Sequence, residues 1–266
     1  MIITFSGTGN SFYVSDILSA FFGGEEVVRL QYERLLDDNP VIDFNNDNKP
    51  VIWVFPVYSW GIPPVVLKFI KKCRTQGDEK SVHHLILTCG DDVGDAAKKW
   101  IDLIEKKKWK RGGIWSVQMP NTYTLMKGFD VDPIELAKNK LSTCRHRIEE
   151  IAEKVKKGSD EIDVVKGAFP LIKSYVINPW FVRYAMSSKP FHALENCISC
   201  GLCEQDCPTD NIRMLPEHDL SARPAWGMNC ALCLRCYHHC PVNAIQYGKH
   251  TKNKGQYRIQ SIIKDI

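Results

Sequence analysis

Apolar residues in the first 157 positions gather into short runs separated by longer periodic stretches. MIITF (1–5), EVVRL (26–30), VIWVFPV (51–57), HLILTC (84–89) and IWSVQMP (114–120) have the length of buried strands. Their near-continuous apolar character predicts a parallel sheet covered on both faces. Helical periodicity lies between and after them, near 11–22, 64–73, 94–108 and 133–157, with Pro63 and Pro64 suited to the start of the second helix. Ile134, Ala137, Leu141, Cys144, Ile148, Ile151 and Val155 step by three and four, which puts Cys144 on a core stripe. Cys73 ends a similar stripe with Val66, Phe69 and Ile70 and reads as structural too. The alternation predicts an α/β domain over 1–157, a doubly wound parallel sheet of five strands. Ligand sites are expected beyond the carboxyl ends of those strands.

The pattern then changes. KGSDE (157–161) reads as an exposed boundary at the start of the 158–192 segment, yet FPLIKSYVINPWFVRYAMSSKPF is too aromatic for a free linker. It could lie on a membrane surface; lacking a strongly basic face, it fits packing between domains better. A cysteine-rich domain follows over 193–250. The tail, 251–266, contains QYRIQSII, read as a strand returning to the body of the protein.

Composition narrows the classes. A chain of 266 residues, 44% hydrophobic and 25% charged, fits a two-domain globular protein. No apolar run approaches the roughly 20 residues of a membrane-spanning helix, and the N-terminus lacks the basic region of a signal peptide. A cytoplasmic location is therefore expected, where eleven cysteines serve as metal ligands or free thiols rather than disulfides. Residues 193–250 hold six acids and four bases, so the net charge of +4 comes from elsewhere, as in KKK at 106–108. That run reads as a solvated helix face. No nucleic-acid-binding motif accompanies it.

CISCGLCEQDCP (197–208) and CALCLRCYHHCP (230–241) are the same C-x2-C-x2-C-x3-C-P pattern, each cysteine 33 residues from its counterpart, with Ile212 and Ile245 at the same offset. Soft thiolates select zinc, copper(I) or iron–sulfur clusters, and C-x2-C pairs alone would allow zinc. The full run with its proline, repeated, resembles the bacterial 2[4Fe–4S] ferredoxins over about 50 residues. The resemblance implies a small α+β domain and crossed ligation. Cys197, Cys200, Cys203 and Cys240 would hold one cluster; Cys230, Cys233, Cys236 and Cys207 would hold the other.

SGTGNS joins the first strand to the first helix. Amides at a helix N-terminus, the hydroxyls of Ser6, Thr8 and Ser11, and the close approach that Gly7 and Gly9 permit, with Asn10 beside them, suit a phosphate. The loop has no lysine, so it is no Walker loop. Phe12 replaces the third glycine of a dinucleotide fingerprint. After the third strand, PVYSWGIPP (56–64) offers Pro56, Val57, Tyr58, Trp60 and Gly61, with Tyr58 and Trp60 as flat partners for an aromatic ring. After the fourth, CGDDVGD (89–95) offers Cys89, Gly90, Asp91 and Gly94. Cys89 could touch a ring there or be a small half-buried thiol. These three loops resemble those of the flavodoxins, which bind FMN in this order.

End to end, with MPNTY (119–123) and the NPWF…KPF segment included, the chain resembles the flavodoxin–ferredoxin fusion proteins. That resemblance implies an intracellular electron-transfer flavoprotein carrying FMN and two [4Fe–4S] clusters, working with a redox partner protein. The alternative is a flavin-dependent reductase of a small-molecule acceptor, for which Asn121 and Tyr123 are the candidate polar groups at the same end of the sheet. A redox or iron sensor is a third class.

Overall fold

Val51, Ile52, Trp53, Val54 and Phe55 are all buried, and successive residues of this strand enter opposite cores. The computed structural model describes residues 1–44, 49–76, 81–216, 219 and 221–264. Its main sheet holds β1 (Ile2–Thr4), β2 (Val27–Arg29), β3 (Val51–Pro56), β4 (Val82–Cys89), β5 (Lys110–Gln118) and β6 (Ile162–Asp163), all parallel, in the order β2-β1-β3-β4-β5-β6. The first five strands follow the flavodoxin-like doubly wound order. The five-stranded expectation is extended by β6, a two-residue edge strand contributed by the segment after the last long helix.

Helices cover both faces, as a parallel sheet requires. On one side α1 (Asn10–Phe21) and α4 (Ile134–Lys156) bring Val14, Leu18, Leu141, Cys144, Ile148 and Ile151 against Ile2, Val54, Ile86 and Trp115. On the other, α2 (Pro64–Lys72) and α3 (Ala96–Lys107) set Val66, Phe69, Ile70 and Trp100 against Phe5, Trp53, Phe55 and Leu85. Cys73 and Cys144 are buried in these cores, as their stripes predict. Two three-residue strands, Val41–Asp43 and Arg74–Gln76, pair in parallel away from the main sheet.

The tail does return to the body, but as a helix over Ile259–Ile263 rather than a strand. Ile259 and Ile262, three apart, enter the core between α1 and α4, a helical spacing where a strand would need steps of two. Tyr257 anchors the return by donating its hydroxyl to Asn10 Oδ1 at 2.6 Å.

The smaller unit is ferredoxin-like and doubled. Phe191–Ala193 pairs antiparallel with Ile245–Tyr247, and Ile212–Leu215 with Arg223–Trp226. Its backbone repeats at the offset of the cysteines. Ser199 and Leu232 (φ 53° and 51°), Gly201 and Leu234 (71° and 62°), and Asp210 and Asn243 (50° and 49°) all lie in the left-handed region. Left-handed single residues turn successive amides inward. Here Asn211 N–H donates to Cys207 Sγ and Ala244 N–H to Cys240 Sγ, both at 3.2 Å and again 33 positions apart.

Candidate functional site

Two cavities in the smaller unit are each ringed by four thiols. Cys197, Cys200, Cys203 and Cys240 line one, with Ile198, Leu202, Val242 and Ile245 as its apolar wall. Cys207, Cys230, Cys233 and Cys236 line the other, with Phe191, Ile212 and Trp226. The chain thus brings the fourth cysteine of each run to the other run's first three. Ile245 and Ile212, the repeated isoleucines, cover one cavity each.

Among the described residues, no three His, Cys, Asp or Glu side chains converge on a single-ion position. The thiols surround a space instead of meeting at a point, which suits a polynuclear cluster better than one zinc. Two residues with buried donors line the second cavity. Asn211 Nδ2 and Trp226 Nε1 have no nitrogen or oxygen partner, although both residues line it. The Trp226 N–H faces the Cys236 sulfur. A buried donor without an acceptor costs about 1–3 kcal/mol, so Asn211 Nδ2 calls for an acceptor in the cavity, such as a cluster sulfide. Burial pushes the Cys203 and Cys230 thiols up to about 12 and raises Cys236 as well. A thiolate in so desolvated a place needs adjacent positive charge, as a bound metal would supply.

The 6–11 loop lies against the second cavity. A Cβ on Gly7 would stand 2.4 Å from the Cys233 carbonyl oxygen, so only glycine fits this contact. Arg235, buried, donates from Nε to the Gly7 carbonyl at 2.8 Å and from Nη2 to the Ser6 carbonyl at 3.0 Å. It also donates to the Asp206 carbonyl at 3.3 Å, with its guanidinium over the Phe12 ring. Arg235 was not marked by motif reasoning. Its only signal is a break in the repeat: 33 residues earlier stands Leu202.

The loop's side chains have separate tasks. Ser11 turns inward and shares a hydrogen bond with the Thr88 hydroxyl at 2.8 Å. Ser6 Oγ accepts the Gly9 amide at 3.0 Å, and Asn10 Nδ2 donates to the Pro120 carbonyl at 3.0 Å. Thr8 has no hydrogen-bond partner among the described residues. Gly9, at φ 101°, precedes α1, and no side chain caps that end, so the first amides of the helix are left for another acceptor.

At the neighbouring loop Tyr58 and Gly61 exchange backbone hydrogen bonds at 2.9 and 3.1 Å around Ser59 and Trp60, whose φ values are 47° and 60°. Two left-handed residues make a tight primed turn, which normally favours glycine or asparagine. Ser174 and Asn178 hold it instead, donating to the Trp60 and Tyr58 carbonyls at 2.8 and 3.0 Å. The turn parts the two aromatic side chains. Tyr58 lies edge-on to Phe5 and packs, as Cys233 does, against the core on that side of the sheet, while Trp60 lies beneath the Lys173 ammonium and against Gly94. Pro56, Val57, Tyr58 and Gly90 are half-buried, and Asp91 is exposed. Cys89 is buried in the core, its thiol pushed up to about 12 by burial. Asn121 packs on Gly90 and is fixed by two hydrogen bonds to Asp132; Tyr123 packs edge-on to Phe129 and Phe181.

Residues 196–245 match the family model of the 4Fe-4S dicluster domain. No curated protein matches the chain in sequence. Among solved structures, the Trp repressor binding protein from Bacillus subtilis is similar with a TM-score of 0.40 and 14% identity, covering 60% of this chain and all (100%) of that one. An azoreductase from Bacillus anthracis str. Sterne is similar with a TM-score of 0.38 and 9% identity, covering 57% of this chain and 98% of its own.

Proposed function

We propose that the chain is an electron-transfer iron–sulfur flavoprotein, with two [4Fe–4S] clusters in the four-thiol cavities and FMN at the carboxyl ends of β1, β3 and β4. The observation that carries this reading is the direct contact of Gly7 with Cys233, which sets the phosphate-type loop against one four-thiol cavity. When bound, the clusters exchange single electrons and FMN takes up one or two.

The chain's own residues supply the seats. Cys197, Cys200, Cys203 and Cys240 hold one cluster; Cys230, Cys233, Cys236 and Cys207 hold the other. Amides of Asn211, Leu232 and Ala244 donate to the sulfurs of Cys207, Cys230 and Cys240, which favours added negative charge there. Thr8 and the uncapped start of α1 receive the phosphate, and Tyr58, rather than Trp60, flanks the ring. The residues fit both groups: the orphaned Asn211 donor belongs to the lining of one cavity, and free amides with an unpartnered hydroxyl stand at the loop. The small-molecule reductase gains no matching observation. Asn121 is tied to Asp132, and Tyr123 packs edge-on against Phe129 and Phe181.

Protein purified without oxygen should contain about eight irons and about eight labile sulfides per chain, with stoichiometric FMN after loading. Zinc without sulfide would overturn the cluster assignment; clusters without FMN uptake would overturn the flavin half. Thr8→Ala should weaken FMN binding about 10- to 100-fold, the equivalent of about 1.5–3 kcal/mol for a hydrogen bond to a charged group. Riboflavin, which lacks the phosphate, should respond little in the same fluorescence titration. Equal loss for both flavins would remove the loop from the site.

A further inference from the structure

The helix from Pro170 to Ala185 is built inside out over most of its length, with Phe181 as the apolar side chain that does enter the core. Its buried positions include Ser174 and Asn178, whose polar atoms bind the Trp60 and Tyr58 carbonyls, the Asp95 amide and the Lys99 ammonium. Its exposed row is Ile172, Val176, Trp180 and Tyr184, with Leu171 and Phe169 beside its start. Phe169 is 73% exposed, Tyr184 65%, and Leu171 and Val176 63% each. A helix of a globular protein normally does the reverse. Two wide π turns, Lys173–Ile177 and Phe181–Ala185, flank Pro179. Proline lacks an amide and crowds the preceding turn, which the wider turns relieve. The widening brings four residues to about one full turn, so residues four apart stay on one line.

A continuous apolar face of this size, rich in aromatic rings, marks an interaction surface. Its charge says which. Residues 164–194 contain Lys166, Lys173, Arg183 and Lys189 and not one acid. The adjoining acids, Asp92 and Asp95, pair with Lys173 and Lys166. Lys99, whose ammonium lies over the Tyr175 ring, Arg183 and Lys189 have no ion-pair partner among the described residues. A second copy meeting this face symmetrically would oppose the same unpaired cations to themselves. An anionic bilayer offers the complement to both parts, acyl chains for the row and headgroups for the cations. Among the described residues no helix is long and apolar enough to cross a membrane, so the mode is lying on the surface.

We propose that the Pro170–Ala185 helix docks the protein on anionic lipid bilayers, apolar face down. This goes beyond the redox reading and stands apart from it. The test is flotation of the full-length, cluster-loaded protein with vesicles of phosphatidylcholine and phosphatidylglycerol in equal parts, against phosphatidylcholine alone. The protein should float with the anionic vesicles, less so as salt rises. Val176→Asp with Trp180→Asp, both at exposed positions, should lower partitioning by at least about tenfold at unchanged iron content. Arg183→Glu with Lys189→Glu should abolish the preference for anionic vesicles. Failure of the parent protein to float, or flotation of the aspartate variant as well as the parent, would overturn the proposal. A dimer that the aspartate variant breaks, without flotation, would assign the face to a second copy instead.

Discussion

Cys207→Ser should cost the chain one cluster, and the cluster lost should be the one seated by the other run. Iron content should fall from about eight to about four per chain, with the surviving spectrum that of the Cys197, Cys200 and Cys203 seat. The expectation rests on position: Cys207 lines the cavity with Cys230, Cys233 and Cys236, whereas Cys240 lines the one with Cys197, Cys200 and Cys203. Cys240→Ser should therefore leave the complementary spectrum. Electron paramagnetic resonance of the two dithionite-reduced variants distinguishes them. Loss of the nearer cluster in each would mean that the runs are wired independently.

Arg235→Met should be the most damaging change outside the cysteines. It keeps an unbranched apolar stem and removes the donors on which the Ser6 and Gly7 carbonyls depend. Each buried acceptor left without a partner costs about 1–3 kcal/mol, so stability should drop by about 2–6 kcal/mol. Lysine offers a point charge in place of a planar fork and cannot serve both carbonyls in the same geometry; Arg235→Lys should recover only part of the loss. Urea unfolding followed by far-ultraviolet circular dichroism reads the effect. A methionine variant as stable as the parent would show that the guanidinium is replaceable by water.

The sheet was legible because strands buried on both faces must be apolar at nearly every position, as in Val51–Phe55. β6 was not: its two residues, Ile162 and Asp163, are both exposed and leave no pattern to read. Hydropathy did not show which side chains of the 170–185 segment would make its contacts. Its aromatic content suggested packing between domains; Ser174, Asn178 and Phe181 are the buried side chains, while Ile172, Val176, Trp180 and Tyr184 face out. The grouping of thiols around two cavities agrees with what the ferredoxin resemblance implied, since the 33-residue repeat constrains backbone as well as ligands. At the candidate flavin loops, composition nominated residues but carried no information on their directions. Ser11 and Thr88 are remote in sequence, so nothing local foretold that the Ser11 hydroxyl would turn inward. Tyr58 and Trp60 are parted by a turn whose left-handed residues, Ser59 and Trp60, are not the usual glycine or asparagine.

The returning tail changes what kind of object this chain is. Tyr257, Ile259 and Ile262 complete a core whose other members lie between Ile2 and Val155. The cluster-bearing stretch is therefore an excursion that leaves one globule and comes back to it, like a loop of thread sewn down at both ends. A stop codon after residue 250 would not simply shorten the protein; it would uncork the groove between α1 and α4. A unit held at two points cannot be acquired or discarded by joining sequences end to end. Its spacing from the first globule is also independent of linker length, because no free linker sets it. Whatever distance separates the two sites is built into the fold and does not fluctuate with a tether.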